Sequence, residues 1–245
     1  SLENFVPYKI TTLFGLITAG ADFYKSIGVK KKSDAEATWQ KFYHHAAVRE
    51  QVDELLQLES EWDSFLESVD RGLQTSDGQL SGRQIADSLS PDAPLTDART
   101  EKSVTLGQYL VQGQKLLLAA LEARSTRVVV VAFGSVEGAR LWLEQTGCTY
   151  DMLLDPQRKI YRSFGLGSSY AKVMKFGCLL RYSEYEAAGR DFPDFPPRLL
   201  EDIYQLGGDF LLDAAGKVLL SHPSKNPLDR PSVTDILQAV EPAKL

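Results

Sequence analysis

The chain has 245 residues, 43% of them hydrophobic and 24% charged, with a net charge of −6. Such a chain is long enough to bury a core without crosslinks, and its acidic balance argues against a nucleic-acid partner, which would require a cationic face. Two cysteines form no disulfide framework and suit a reducing, cytoplasmic compartment, three histidines make no metal cluster, and no run reaches the roughly 18 uncharged apolar residues of a membrane span.

In chain order, the first 71 residues read as helices. Ile10, Leu13, Phe14, Ile17, Ala21 and Tyr24 fall at helical spacing. Gly15 and Gly20 weaken that helix but permit close packing. The segment "ITTLFGLITAGADFY" is apolar, but Asp22 interrupts it and no signal peptide is expected. "KKK" at 30–32 reads as a solvated loop. Ser33 and Glu36 predict a capping box. A stripe then runs from Trp39 and Phe42 through Val52, Leu55, Leu56, Trp62, Phe65, Leu66 and Val69, with Gly72 as the expected stop. This is one very long helix or two with a break near His44–His45. Such a stripe must pack on the rest of the chain or on a second copy. Neither histidine has a Cys or carboxylate at ligand spacing.

Residues 72–94, rich in Gly, Ser, Asp and Pro, read as a linker with one helical turn at 83–89. From 95 onward the pattern alternates. Leu95 and Asp97, a polar turn at Thr100–Lys102, then Val104 and Leu106 predict a hairpin. "KLLL" reads as a strand, and "RVVVVAF" as a strand buried on both faces. "SVEGARLWLEQTG" is a helix closed by Gly147. "YDMLLDP" is a strand and turn, followed by a helix with Pro156 at its first position. Residues 168–189 are helical with a weak spot at Gly177, and "DFPDFPP" is a loop. "GGDFLLDAAGKVLLSH" is a hairpin turning at "DAAG", and "RPSVTDILQAV" a final helix capped by Ser232. Helices alternating with strands give a mixed sheet flanked by helices. "GLGSS" at 165–169 lacks a phosphate-loop lysine, so no nucleotide is implied.

Only about eight residues separate "KLLL" from "RVVVVAF". A crossover between neighbouring parallel strands needs a dozen or more. The local alternative is one amphipathic helix over 106–125, in which Gly113 costs about 1 kcal/mol.

Three stretches resemble a known group. "APLTDARTEKSVTLGQYLVQGQKLLL" is similar to the entry of peroxiredoxin and alkyl-hydroperoxide-reductase domains, and "YDMLLDPQRKIYRSFGL" to that superfamily's strand, turn and short helix. "QLGGDFLLDAAGKVLLSHPSKNPLDRPSVTDILQAV" resembles the C-terminal third of the peroxiredoxin-like 2 group, which includes the U and L selenoproteins. The resemblance covers roughly 95–241. It implies a thioredoxin-like α/β domain over 95–245, a mixed central sheet flanked by helices, following a helical extension (1–71) and a linker (72–94). It also implies thiol- or selenol-dependent reduction of peroxides or disulfides, with a thioredoxin- or glutathione-type thiol as reductant and no cofactor or metal. The redox centre of such folds follows the first central strand, at a helix N-terminus that favours a thiolate. Here Leu118 runs directly into "AALEARS", which resembles the tail of the helix after that centre. A piece of very roughly 15–20 residues is missing if a normal crossover is to be restored. The chain as written is therefore expected to be inactive.

Cys148 and Cys178 are the remaining thiols and the remaining catalytic candidates; both are expected to be buried and inert rather than catalytic, and they are not expected to pair. Gln205, Gly207 and Gly208 form the loop expected beside the redox centre, where glycine permits close approach of another chain or a substrate. Arg230 is expected to pair with Asp229 or Asp235 or to face solvent. His222 ends the last strand. The competing function is a non-catalytic module that dimerises or docks through its N-terminal helices.

Overall fold

The computed structural model describes residues 9–74, 85–112, 114–118, 126–190, 192–199 and 202–240. In chain order the elements are α1 (Gly15–Ser26), α2 (Lys32–Phe42), α3 (Ala46–Gln74), β1 (Pro94–Asp97), β2 (Ser103–Thr105), β3 (Lys115–Leu118), β4 (Thr126–Ala132), α4 (Val136–Thr146), β5 (Asp151–Leu154), α5 (Lys159–Ser163), α6 (Tyr170–Val173), α7 (Phe176–Ala187), β6 (Gly208–Leu212), β7 (Val218–Pro223) and α8 (Val233–Val240). Short 3-10 turns occupy Ile10–Phe14, Leu106–Gln108 and Pro197–Leu199. These elements fall into two compact units, one drawn from 1–79 and 169–192, the other from 80–168 and 193–245.

In the first unit the expected break at His44–His45 separates α2 from α3. The seam of α3 is narrower than its apolar content suggests. Val52, Leu66 and Val69 are buried, whereas Leu56 is 54% exposed. The partners of that seam are α6 and α7, from the same chain. The Trp62 indole donates to the Met174 carbonyl at 2.9 Å and meets Phe176 edge-on at 5.6 Å between centroids. Asp70 accepts the Tyr170 amide (2.8 Å) and the Ser169 hydroxyl (2.6 Å). Asp63 accepts the Phe176 amide at 2.9 Å. Two carboxylates of α3, two turns apart, thus satisfy the free N–H groups that open α6 and α7. Gly20 lets α1 lie directly on α7, because a Cβ there would sit 2.5 Å from the Ser183 Oγ.

Three expectations fail in this unit. Ser33 lies inside α2, which starts one residue earlier after Lys31. The Lys32 amide at its start is bound at 2.8 Å by Glu184, a carboxylate 152 residues away, so a tertiary partner displaces the local capping box. Gly72 does not stop α3, which runs on to Gln74. Gly177 lies within α7, and the break falls at Met174–Lys175, where Asp63 supplies the new cap.

In the second unit the sheet order is β2-β1-β5-β4-β3-β6-β7. β3, β4 and β5 run parallel and the outer pairs are antiparallel. The continuous apolar run of β4 is buried on both faces, as expected. Val129 joins Leu116, Leu153, Phe210 and Leu212 against Phe164 and Leu106 on one face. Val128 joins Leu117, Leu211 and Ile236 of α8 on the other. On this second face α4 packs Ala139 and Leu143 over Met152 and Leu154. Ser135 caps α4, its Oγ accepting the Gly138 amide at 3.2 Å, and Gly147 closes it at φ 64°. Ser232 caps α8 as expected, with its Oγ accepting the Asp235 amide at 3.1 Å.

β3 is a strand paired with β4 and β6, which overturns the alternative of one helix across its residues. Residues 85–89 hold no helical turn. They lie along the sheet instead, with Ser88 bridging Lys217 and the Leu89 amide donating to the Gly216 carbonyl at 2.9 Å. Pro156 sits in the turn after β5, and α5 starts at Lys159. The cause is Asp155, 1% exposed, whose carboxylate takes the Lys159 and Ile160 amides at 2.9 and 2.7 Å and so sets the helix start.

Candidate functional site

In an open α/β sheet, ligands bind beyond the carboxyl ends of the parallel strands. Here that edge is formed by the ends of β3, β4 and β5 and by the chain entering β6. Arg158, in the turn after β5, has a left-handed backbone (φ 52°). Its guanidinium lies 4.2 Å from the centroid of the Phe133 ring, just past β4. One nitrogen donates to Asp202 Oδ2 at 2.5 Å and to Gln205 Oε1 at 3.1 Å. Gln205 in turn donates from Nε2 to the Gly167 and Leu206 carbonyls at 3.1 and 3.0 Å. The Ser168 hydroxyl donates to Asp202 at 3.2 Å. Tyr161 stands edge-on to Phe133 at 5.4 Å and donates to the Val131 carbonyl at 2.9 Å. Burial, with the nearby Asp155 charge, pushes its phenol up to about 12. The result is a braced loop that fixes the entry to β6 by side chains from three separate turns.

Gly208 opens β6 directly against β7. A Cβ there would lie 2.7 Å from the His222 carbonyl oxygen and 2.8 Å from the Phe210 ring. Gly207 has open space at the same point. Glycine at 208 is therefore required by the sheet itself. Arg230 does not pair with Asp229 or Asp235; its guanidinium reaches Asp209 on β6 at 3.1 Å, because that buried carboxylate has the greater need of a counter-charge. Asp229 is taken by the Lys225 amide at 2.7 Å and by His222 at 3.2 Å, which together hold its carboxyl below the usual range. Asp209 and His222 are cross-strand partners.

Neither cysteine lies at this edge. Cys148 follows α4 at the opposite, amino end of β5, and its carbonyl accepts from Arg99 at 2.7 Å. Cys178 is buried within α7 of the first unit, where burial pushes its thiol up. Both are free thiols, but Cys148 is half-buried rather than buried as expected. Gln205, Gly208 and Arg230 do belong to the edge. Sequence reasoning missed Arg158, Phe133 and Asp202, which meet across 25 to 69 positions; the "D-P" turn was the one local sign of them. No cluster of metal-ligating side chains occurs among the described residues, and no described helix is long and apolar enough to cross a membrane.

β3 also ends at this edge, its Leu118 opposite Phe210 of β6. β3 and β4 are adjacent and parallel, with Lys115 opposite Thr126 and Leu117 opposite Val128. Only residues 119–125 join them, and these lie outside the described ones, as does the expected gap after Leu118. Residues 114–226 match the AhpC/TSA antioxidant enzyme family. That span is just under half of the chain and covers β3 to β7. The second unit has a mixed α/β, thioredoxin-like fold.

Solved structures similar to the chain include a cysteine-to-serine mutant of PrxQ from Xylella fastidiosa, at 14% identity over 58% of this chain and 87% of that one, with a TM-score of 0.36. A putative electron transport protein from Aquifex aeolicus VF5 is 10% identical over 64% of this chain and 96% of that one, with a TM-score of 0.35. The yeast mitochondrial 1-Cys peroxiredoxin is 12% identical over 64% and 75%, with a TM-score of 0.37. No curated protein matches the chain in sequence.

Proposed function

We propose that this chain is a redox-silent form of a peroxiredoxin-type oxidoreductase. In the competent parent, a thiolate or selenolate stands at the start of the crossover helix that follows β3, where the helix dipole favours the anion. Attack on a peroxide transfers the distal oxygen to sulfur or selenium as the O–O bond breaks, and the alcohol departs with a proton. A second thiol condenses with the resulting acid, releasing water, and one thioredoxin-type dithiol or two glutathione-type thiols reduce the bond so formed, leaving as their disulfide. Disulfide reduction would use the same anion.

One observation carries this reading. Two neighbouring parallel strands of an AhpC/TSA-type sheet are joined by seven residues, 119–125. Eight Cα steps reach about 27 Å, enough to return from Leu118 to Thr126. They leave no length for the crossover helix that such a pair ordinarily carries. The stretch 113–135 also contains no cysteine. We infer that a segment of roughly 15–20 residues is missing between Leu118 and Ala119. Omission of the stretch around a selenocysteine codon, as in the U and L selenoproteins that the sequence resembles, would leave this junction. The sheet-bearing unit then acts in this chain as a non-catalytic body.

The test compares thiol-dependent peroxide and disulfide reduction by the natural full-length protein and by this chain. Activity in the former and background in the latter is expected. Equal activity overturns the proposal and points to Cys148 or Cys178. An intact mass of the natural protein equal to that of the written chain overturns the missing segment.

A further inference from the structure

Residues 193–198 read Pro-Asp-Phe-Pro-Pro-Arg. Pro193 and Pro196 are three apart, which is one turn of a polyproline II helix, so they share a face of it. Each proline also biases the residue before it toward an extended backbone, and here Phe192, Phe195 and Pro196 all precede a proline. Arg198 places a cation two residues beyond the second proline. Asp194, Pro196 and Arg198 are exposed.

The segment is strapped along α4 by two side-chain clamps. Gln145 donates from Nε2 to the Asp194 carbonyl at 2.9 Å and accepts the Asp194 amide at 2.6 Å, as a neighbouring strand would. Glu137 holds the Arg198 guanidinium through both oxygens, at 2.8 and 2.6 Å. Eight residues of α4 separate the clamps, about 12 Å at 1.5 Å per residue. Four residues of the strap separate them on the other side. The last of these lies in the 3-10 turn Pro197–Leu199, closed by the Leu199 amide donating to the Pro196 carbonyl at 2.8 Å, so the clamped strap is not polyproline II throughout. The Arg198–Glu137 pair lies on the surface, with side chains 64% and 58% exposed, so it competes weakly with any better-desolvated carboxylate.

We propose that residues 193–198 are a docking segment for an SH3-type domain, a partner with an aromatic-lined groove for polyproline II and an acidic rim. Pro193 and Pro196 enter the two apolar slots. Arg198 leaves Glu137 and its 3-10 turn for the acidic rim as the segment straightens, so Glu137, Gln145 and that turn act as an internal competitor that tunes the affinity. This role is independent of the redox state of the β3–β4 junction.

The experiment titrates the full chain with an isolated SH3 domain selective for Pro-x-x-Pro-x-Arg peptides, read by calorimetry. A synthetic peptide of residues 190–200 serves as the reference. The wild-type chain is expected to bind more weakly than the peptide. Glu137→Ala should tighten binding about two- to fivefold. Pro196→Ala and Arg198→Glu should each weaken it about tenfold or more, and Arg198→Lys should lose less. Far-UV circular dichroism and Tm, unchanged among the variants, separate these effects from unfolding. Failure of the peptide to bind overturns the proposal. So does saturable binding by the peptide but by neither the wild-type nor the Glu137→Ala chain, and so does binding that Pro196→Ala leaves intact.

Discussion

The sheet makes the same step twice. From β4 to β5 the chain uses residues 133–150, which include α4, capped by Ser135 and closed by Gly147. From β3 to β4 it uses 119–125. Both steps move in the same direction across the sheet, and the right-handed rule assigns the β4–β5 crossover to one face. α4 occupies that face over β4 and β5, laying Ala139 and Leu143 on Met152 and Leu154. The contrast separates two roles that are usually fused. Pairing of the strands rests on their own register and apolar side chains. The chemistry of such a fold rests on what a connection carries to the edge.

The comparison can be broken most severely by making the two connections alike. Replacing 119–125 with a helical crossover of about 18 residues that bears a cysteine in its first turn should raise peroxide reduction by about 1,000-fold or more. Cys148→Ala and Cys178→Ala should leave the written chain at background. A grafted chain that keeps its Tm yet stays silent would show that this junction is not the redox position.

Next in size is the test of β3 itself. Leu117 and Leu153 are both 0% exposed, on opposite faces of the sheet. Truncating either to alanine should cost about 2–5 kcal/mol in urea unfolding. A loss below about 1 kcal/mol at Leu117, against a full loss at Leu153, would mean that β3 does not hold its place without a longer crossover.

Gly208→Ala should destabilise by about 1–3 kcal/mol, since the added methyl meets the His222 carbonyl. Gly207→Ala should change stability by less than about 0.5 kcal/mol. Equal effects would remove the distinction drawn between them.

The smallest effect is at Asp97, in the β1–β2 hairpin. Burial raises its carboxyl, but hydrogen bonds from Thr100, Tyr109 and Arg99 more than offset this and hold it below the ordinary 3.8. A depressed folded value stabilises above the unfolded one, so the contribution is complete at neutral pH and is lost as the pH falls through 3.8 and the folded value. Tm against pH for Asp97→Asn should lie below wild type at neutral pH and converge with it in acid. Parallel curves would refute this assignment.

What could be read from the residues alone was what local chemistry decides. The continuous run Val128–Val131 announces a strand covered on both sides. Ser135 and Gly147 bracket a helix, and "DAAG" turns a hairpin. Three misreadings share one cause, a group outside the local signal supplying what that signal seemed to offer. Glu184 replaces Ser33 at the start of α2. Asp155 moves the start of α5 past Pro156. Asp209 takes Arg230 from its sequence neighbours. The Arg158–Phe133–Asp202 arrangement was illegible for the same reason, as each partner comes from a different turn.

Asp63 and Asp70 of α3 grip residues of the 169–176 stretch. During synthesis, α3 is finished almost a hundred residues before those partners emerge. At ~5–20 residues per second, that is roughly 5–20 s during which its apolar seam has no native companion. The helices made first therefore complete their unit late, and on the ribosome this nascent chain offers a hydrophobic stripe that a holdase chaperone could shield.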